Sequence, residues 1–219
     1  LKEGKDVLYI AFSSGLSGTY QAAHLAAEDL AEKYPERSIK VADSLCASMG
    51  QGLLVWYACM QRKEGKSMEE VVQWLEKNRL RLCHWFTVDD LHFLKRGGRC
   101  SPSAAFFGTM LKIKPVLQIQ GEKLDAYAKV RGKKQAKRVM MKAMQNDWEN
   151  RFAEYVKRGE MCLQSAYTGN QEEAEEFKKE IAEVFPGIEI VQNPLSLSVA
   201  CHIGHGAIAV ACSRKVVVE

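Results

Sequence analysis

A short turn near the start of the chain, residues 13–19, carries four hydroxyl groups and two glycines in the sequence SSGLSGT. The turn follows an apolar segment, residues 7–12, and precedes a segment with helical spacing of apolar residues. At the carboxyl end of a parallel strand, the free N–H groups of the next helix point outward and favour an anion. Glycines also let the backbone approach a ligand closely. The pattern therefore favours an anion-binding loop, and the alternative is that Ser14 or Ser17 only caps the helix.

This turn does not match two known sequence motifs, the phosphate-binding loop and the nucleophile elbow. No lysine follows at the place that a G-x-x-x-x-G-K-[ST] phosphate loop requires. The residues around Ser17, GLSGT, do not match the G-x-S-x-G nucleophile elbow. A serine nucleophile needs a base within hydrogen-bond reach and usually an orienting carboxylate. A serine hydrolase or acyltransferase that uses Ser14 or Ser17 with His202, oriented by Asp43 or Asp89, is kept as an alternative.

The late segment ACHIGHGAIAV places two histidines, His202 and His205, on either side of Gly204. Its surroundings are apolar, and a polar group there needs a partner. A histidine beside a glycine turn can donate to an anion, act as a base or bind a metal. The i, i+3 pair has no third ligand at a convincing spacing, so we predict no metal site. A histidine in the core or at the surface, without a functional role, is the alternative.

Basic residues cluster in two segments, LKRGGRCS with Arg96 and Arg99, and KVRGKKQAKR at residues 129–138. Such a block is usually a solvated face, although it could also dock an acidic partner or nucleic acid. Apart from Tyr127, it lacks the aromatic residues that stack on single-stranded bases. Arg99 and Arg131 each adjoin a glycine, so we expect them to contact a specific anion or partner. A protein that binds polyanions through these basic segments is a further alternative. Because the stacking aromatic residues are missing, we predict no nucleic-acid partner.

Composition sets wider limits on the class of protein. The 219 residues carry a net charge of +4 at pH 7, with 47% hydrophobic and 26% charged residues, as in ordinary globular proteins. The longest apolar run, residues 52–60, is shorter than the roughly 20 residues of a membrane-spanning helix. We therefore predict no integral membrane association. Seven cysteines without a C-x-x-C pair favour reduced thiols and a cytoplasmic location over a disulfide framework.

The elements around the first turn alternate between strand and helix. Residues 7–12 predict a strand buried on both faces, and the helix that follows should bury its apolar face. A second strand, SIKVADS, leads to Asp43 and Ser44, which we expect to cap an apolar helix through Met60. The sequence SMEE from Ser67 matches a capping box. This alternation predicts an α/β layer with parallel strands.

The second half of the chain follows a different pattern. VDDLHFLKRGG predicts a short helix that ends at two glycines, and Ser101-Pro102 predicts the start of another. Apolar and polar residues alternate on both sides of Gly121, which predicts a β-hairpin. The periodic spacing of apolar residues predicts one long helix over residues 132–158. Three later strands and an amphipathic helix complete a mixed sheet. We therefore predict two domains, an N-terminal α/β domain over residues 1–90 and a C-terminal mixed α/β domain over residues 91–219.

Taken in order, these motifs resemble the DegV family of bacterial fatty-acid-binding proteins. The matching segments, which span nearly the whole chain, are SSGLSGTYQAA, VADSLCASMGQGLLV, LHFLKRGGRCS, LKIKPVLQIQGEKL, KVRGKKQA and HIGHGA. The resemblance implies an α/β fold with the DegV-like two-domain architecture (the EDD fold), in which a parallel α/β sheet domain is followed by a smaller mixed-sheet α/β domain. It also implies that a long-chain fatty acid of the palmitate, stearate or oleate type is held between the two domains, with no cofactor.

The resemblance also implies a partner protein. Members of this family hand the fatty acid to a separate, dihydroxyacetone-kinase-like fatty-acid kinase, which makes an acyl phosphate for phospholipid metabolism. This chain would therefore be a lipid-binding and presenting protein and not an enzyme.

Site residues follow from the same resemblance, by position in the matching motifs. The ligand-binding residues it implies are Ser14 or Ser13, His202 and Arg131. The residues implied at the kinase-docking surface or the head group are Arg99 and Arg96. The acyl-tail pocket, for which a plain core role is the alternative, would include Phe106, Phe107, Met110 and Leu111.

The chain departs from the family pattern in two places. The family usually has Gly-Pro-Gly after the histidine, whereas this chain has Gly204-His205-Gly206, which adds a titratable group beside the expected head-group site. The chain begins at Leu1 and enters its first strand almost at once. We expect the family's opening strand, and a threonine-containing loop that also contacts the carboxylate, to precede this residue.

Overall fold

The computed structural model describes residues 1–99, 112–120 and 123–214. The chain divides into two compact units, which we call the N-terminal unit, Leu1–Leu80, and the C-terminal unit, which begins at Arg81. A small parallel sheet in the first unit and a larger mixed sheet in the second confirm the predicted α/β class. The assignment of domains to residues 1–90 and 91–219 stays a prediction.

The N-terminal unit alternates strand and helix as the sequence predicts. Its elements are β1 (Val7–Ala11), α1 (Thr19–Lys33), β2 (Ile39–Asp43), α2 (Met49–Lys63) and α3 (Met68–Asn78). Strands β1 and β2 pair in parallel, with Val7 opposite Ile39 and Ala11 opposite Asp43. Because both strands end at the same edge of the sheet, the loops that follow them lie side by side.

Burial in this unit differs from the prediction. On β1, Val7 and Tyr9 are 39% and 40% exposed, so the strand is not buried on both faces. Helix α1 has no buried residue, although its apolar spacing predicts a buried face. Within the described residues the parallel sheet has two strands, which offer a helix little apolar surface to cover.

The ends of the helices agree in part with the sequence signals. Helix α3 starts with the predicted capping box, in which Ser67 Oγ accepts from the Glu70 N–H and the Glu70 carboxylate accepts from the Ser67 N–H. Helix α2 begins later than predicted, because Asp43 and Ser44 do not cap it. Both residues hold the loop before α2 instead.

The C-terminal unit is built on one six-stranded sheet. Its elements are β3 (Leu82–Thr87), α4 (His92–Arg96), β4 (Ile113–Gln120), β5 (Lys123–Arg131), α5 (Lys133–Asn150), α6 (Ala153–Lys157), β6 (Met161–Tyr167), α7 (Gln171–Val184), β7 (Ile190–Pro194), α8 (Leu197–Ile203) and β8 (Ile208–Arg214). The strand order is β5-β4-β3-β8-β6-β7. Strand β8 runs antiparallel to β3 and β6, whereas β6 and β7 are parallel. The sheet is therefore mixed, as predicted, and its β4 and β5 are neighbours as the predicted hairpin requires.

Hydrophobic clusters cover both faces of this sheet. Side chains alternate along a strand, so Trp85 and Phe86 on β3 point to opposite faces. Trp85 belongs to the larger cluster, which includes Met140 of α5 and Phe177 of α7. Phe86 belongs to the smaller cluster, which includes residues of α4 and α8 such as Ile203. The two short helices α4 and α8 thus share one face of the sheet.

The long helix predicted over residues 132–158 is two helices. The N–H groups of Arg151 and Phe152 both donate to the carbonyl oxygen of Asp147, at 2.8 and 3.2 Å, and α5 ends there. Phe152 leaves the helical conformation, with φ −118° and ψ 6°, yet its side chain is 2% exposed. The predicted apolar face survives the break, because Phe152 packs in the same cluster as Met140 and Met144. The helix predicted from Ser101-Pro102 lies outside the described residues.

Candidate functional site

Two loops meet at the carboxyl edge of the parallel sheet in the N-terminal unit. The hydroxyl loop, residues 12–18, follows β1, and the Asp43 loop, residues 44–48, follows β2. The Ser13 N–H donates to the Cys46 carbonyl oxygen at 2.9 Å. Oδ1 of Asp43 accepts from the N–H of Ser14 at 3.2 Å and from that of Leu45 at 3.0 Å. One carboxylate therefore holds both loops together, a role for Asp43 that the sequence analysis missed.

The hydroxyls of the first loop have different surroundings. Ser13 is fully buried, and its Oγ has no hydrogen-bond partner in the described part of the chain. The structure records no hydrogen bond of the Ser14 hydroxyl to any described residue, and Ser14 is partly buried. Ser17 Oγ lies 2.6 Å from Thr19 Oγ1 and accepts from the Thr19 N–H at 3.3 Å, so this pair shapes the start of α1. The hydroxyls left for a ligand are those of Ser13 and Ser14.

The Asp43 loop is strained and has no reactive thiol. Leu45 and Ser48 have positive φ values of 51° and 47°, a region that residues other than glycine seldom occupy. Ser44 Oγ accepts from the Cys46 N–H at 3.1 Å, which supports this bend. Burial, with a further contribution from the Asp43 charge, raises the pKa of the Cys46 thiol to about 12. Cys46 is therefore protonated at neutral pH and unsuited to nucleophilic chemistry.

In the C-terminal unit, two of the sequence motifs meet in a glycine–histidine cluster formed by Phe93, Gly97, His202 and Gly204. A Cβ atom added to Gly97 would lie 2.4 Å from Nδ1 of His202. A Cβ added to Gly204 would lie 2.5 Å from the Phe93 ring. Glycine at both positions therefore allows the close packing of α4 against α8, and a side chain at Gly97 would displace the His202 ring. The structure thus places the LKRGGR segment directly beside His202.

The turn after His202 is held by two residues that the sequence analysis missed. Thr168 Oγ1 donates to the Gly204 carbonyl oxygen at 2.6 Å and accepts from the Ala207 N–H at 2.9 Å. Lys133 Nζ donates to the Gly206 carbonyl oxygen at 2.6 Å and pairs with Glu173 at 2.6 Å. Thr168 follows strand β6 in the sequence YTGN. A hydroxyl and a glycine at the end of a strand are the same pattern that marked the first turn, so the sequence could have predicted a role for Thr168.

The predicted arginines occupy different places. Arg96 is exposed, and its guanidinium carbon lies 5.1 Å from the centre of the Phe93 ring. Arg99 donates to the carbonyl oxygen of Gly97, next to His202. Arg131 is exposed at the end of β5, the edge strand of the mixed sheet. Arg96 and Arg99 therefore belong to the surroundings of the glycine–histidine cluster, and no contact among the described residues brings Arg131 to it.

The basic segment at residues 129–138 is partly neutralised. Lys133 also pairs with Asp89 at 3.4 Å, and Lys137 pairs with Glu180 at 3.3 Å. Both lysine side chains are at least four-fifths buried, so their ion pairs lie inside the unit and not on its surface. The segment therefore does not present a continuous basic face.

The four proposed tail-pocket residues, Phe106, Phe107, Met110 and Leu111, lie outside the described residues. Across residues 1–99, 112–120 and 123–214, no three His, Cys, Asp or Glu side chains are grouped so that they could hold a metal ion. No helix in those ranges has the length and apolar character needed to cross a membrane.

The geometry of each unit bears on the hydrolase alternative. Ser14 lies in the N-terminal unit, whose one histidine, His24, stacks on Tyr20 and pairs with Glu28. Asp43 uses Oδ1 for two backbone N–H groups and does not orient a histidine. Among the described residues of each unit, no contact favours a catalytic triad.

Replacing Gly97 with alanine should move the His202 ring while leaving the fold intact. Gly97 has φ −75° and ψ −5°, which alanine adopts readily, so the added Cβ acts mainly through its clash with the ring. The shift would be read from the assigned His202 ring resonances by NMR. Gly18→Ala is the matched control, because Gly18 has φ −71° and ψ 2° with open space around its Cβ position. Unchanged His202 resonances in Gly97→Ala would contradict this packing.

Comparison with known proteins gives a consistent result. A sequence profile of the family described as "Uncharacterised protein, DegV family" matches residues 1–215. A DegV domain-containing protein of Clostridium perfringens is 42% identical over 212 residues, which cover 96% of this chain and 70% of that protein.

Two solved structures are also similar. A DegV family protein from Thermus thermophilus, described by its fatty acid binding, superposes with a TM-score of 0.82 at 32% identity and covers 95% of this chain and 71% of its own. A fatty acid binding DegV family protein from Streptococcus agalactiae superposes with a TM-score of 0.83 at 28% identity and covers 98% and 72%.

Proposed function

Because the chain belongs to the DegV family, we propose that it binds one long-chain fatty acid in the bacterial cytoplasm and presents the carboxylate to a separate fatty-acid kinase. The kinase would form the acyl phosphate, and this chain would contribute no catalytic group. The fatty acid binding described for the proteins from Thermus thermophilus and Streptococcus agalactiae supports the class of ligand. The observation on this chain that carries the proposal is the buried hydroxyl of Ser13, which has no partner among the described residues.

A buried hydroxyl without a partner costs stability, by about 1–3 kcal/mol in mutational data. Such a group calls for an explanation, and a ligand that supplies the missing bond is one. A carboxylate oxygen is a fitting acceptor, because hydrogen bonds to an ionised group are shorter and stronger than those between neutral groups. The nearby carboxylate of Asp43 bonds to the N–H groups of Ser14 and Leu45, which reduces its repulsion of a second anion. We therefore assign the main head-group contact to Ser13, with Ser14 beside it, and retain His202 and Arg131 as further proposed contacts.

The acyl tail and the carboxylate head group contribute differently to the binding free energy. Burial of a fatty-acid tail gains roughly 0.8 kcal/mol for each CH₂ group, so a tail of about sixteen carbons supplies most of the affinity. A single hydrogen bond to the ionised head group contributes about 1.5–3 kcal/mol. Loss of one head-group donor should therefore weaken binding without abolishing it, and it should also alter the orientation of the carboxylate.

Ser13→Ala should weaken oleate binding by about tenfold or more and should not destabilise the ligand-free protein. The free protein should even gain stability, because the variant removes a buried hydroxyl without a partner. Titration calorimetry with oleate and urea unfolding of delipidated protein would measure the two effects.

Two comparisons sharpen this experiment. Methyl oleate offers only a neutral ester oxygen, so its affinity should differ less than that of oleate between the natural protein and Ser13→Ala. Ser17→Ala is the control variant, because its hydroxyl bonds to Thr19 at the helix start and should not affect oleate affinity. Equal oleate affinity in Ser13→Ala and the natural protein would rule out Ser13 as the head-group contact. If delipidated protein takes up no fatty acid at all, the proposed function is wrong.

The presenting role has its own test. Oleate-loaded protein, ATP and a purified dihydroxyacetone-kinase-like fatty-acid kinase should yield acyl phosphate, which hydroxylamine traps. Arg96→Glu should lower this rate without changing oleate affinity, because Arg96 is exposed beside the glycine–histidine cluster. Arg138→Glu, at an exposed position of α5, is the control for a simple change in net charge. Equal rates for Arg96→Glu and Arg138→Glu would show that Arg96 does not dock the kinase.

A further inference from the structure

Two cysteines lie directly opposite each other at the centre of the mixed sheet. Cys83 of β3 and Cys212 of β8 are paired residues in the antiparallel ladder. Their Sγ atoms are 2.7 Å apart, whereas a disulfide bond is about 2.0 Å long. Directly opposed residues of antiparallel strands have Cα atoms about 4.5–5.5 Å apart, within the range that a disulfide spans. Bond formation would therefore need little movement of the backbone.

The surroundings shield the reduced pair from solvent. Cys83 and Cys212 are 1% and 2% exposed. Cys83 also lies 3.6 Å from Sδ of Met144, within the larger hydrophobic cluster. Burial, together with the hydrogen bond to Cys83, raises the pKa of the Cys212 thiol well above its ordinary value. A thiolate is the reactive form, so the pair is stable to mild oxidants until the strands open locally.

We propose that Cys83 and Cys212 are a redox pair that forms a disulfide across β3 and β8 when the protein meets a peroxide. One thiol, deprotonated during a local opening, attacks hydrogen peroxide, and the O–O bond breaks to give a sulfenic acid and hydroxide, which takes up the released proton as water. The second thiol then attacks the sulfenic sulfur and displaces another water. Two S–H bonds and one O–O bond are lost, one S–S bond and two O–H bonds are formed, and the peroxide accepts two electrons.

The position of the pair gives the bond a structural consequence. Strand β3 leads through Asp89 into α4, and the turn after His202 leads into β8. The two strands that would be linked therefore carry both halves of the glycine–histidine cluster. The bond would close a loop of the chain from residue 83 to residue 212, and closing a long loop restricts the unfolded chain strongly. We expect the oxidised protein to keep its fold and to unfold at a higher temperature.

The test compares natural protein after treatment with hydrogen peroxide and after treatment with dithiothreitol. The samples are alkylated under denaturing conditions and digested, and the peptides are mapped by mass spectrometry. The expected result is a linked peptide pair containing Cys83 and Cys212, two hydrogens lighter than the reduced pair, and a midpoint of thermal unfolding several degrees higher. Dithiothreitol should reverse both changes.

Two cysteine variants test whether the bond joins Cys83 to Cys212. Cys83→Ala should lose both the linked peptide and the rise in the unfolding midpoint. Cys201→Ala, which removes an exposed thiol, should keep both. The map of the natural protein decides the question even if Cys83→Ala fails to fold. Recovery of Cys83 and Cys212 as alkylated thiols after peroxide treatment would overturn the proposal, and so would a link that forms only in concentrated urea.

Discussion

Replacing Asp147 with alanine should lower the free energy of unfolding by about 3 kcal/mol. Asp147 is 5% exposed, and its Oδ2 accepts from Nε1 of Trp85 at 2.8 Å. Its Oδ1 pairs with Arg151 at 3.1 Å. Alanine would leave the Trp85 N–H buried without an acceptor. The loss should be smaller than for a fully buried ion pair, because the Arg151 side chain is 36% exposed and can be hydrated.

Matched variants separate the two contributions. Asp147→Asn keeps an oxygen acceptor for Trp85 and removes the charge, so it should cost about 1 kcal/mol. Glu149→Ala changes an exposed carboxylate on the same helix and should cost less than about 0.5 kcal/mol. Urea unfolding at pH 7 would measure all three. Equal stabilities for Asp147→Ala and Glu149→Ala would show that the buried carboxylate does not support the core.

Acidification should destabilise the protein through His84, by about 3 kcal/mol between pH 7 and pH 4. Burial, with a smaller contribution from the charge of Arg151, lowers the pKa of His84 from 6.5 to about 4. Nε2 of His84 is buried without a hydrogen-bond partner among the described residues. The folded state therefore favours the neutral ring, whereas the unfolded chain binds a proton below pH 6.5. The contribution of His84 is complete above pH 6.5 and is lost as the pH falls from 6.5 towards 4.

His84→Met replaces the ring with an apolar side chain that does not titrate. The difference in unfolding free energy between pH 7 and pH 4.5 should be smaller in this variant than in the natural protein. His92→Met is the control, because it makes the same replacement at an exposed position. Carboxylates also titrate in this range, but they are common to all three proteins. Parallel pH profiles for His84→Met and the natural protein would contradict the role of His84.

Local signals in the sequence predicted much of the fold. The capping box at Ser67 and the glycine stop after α4 depend on a few neighbouring residues, and both are in the structure. The α/β class followed from the spacing of apolar residues, because that spacing differs between strands and helices. Predictions of burial were less successful. The apolar pattern of α1 predicts a buried face, but the structure leaves the whole helix at least partly exposed.

Breaks in helices and strained loops escaped the sequence analysis for a related reason. The end of α5 depends on how Phe152 enters the core, which periodicity over residues 132–158 does not reveal. The late start of α2 depends on Asp43, whose carboxylate bonds to N–H groups of two different loops. In both places a contact outside the local segment outweighs the local preference.

The sequence by itself determined the family, the α/β class and most of the strands and helices, because these depend on motifs and periodicity within short segments. Only the tertiary structure decided which of those segments meet. It placed Gly97 against His202, left the Ser13 hydroxyl buried without a partner among the described residues, and set Cys83 opposite Cys212. These relations depend on strand register and on close packing between residues far apart in the chain. A one-residue shift of register would turn either cysteine to the other face of the sheet, and no local pattern specifies that register.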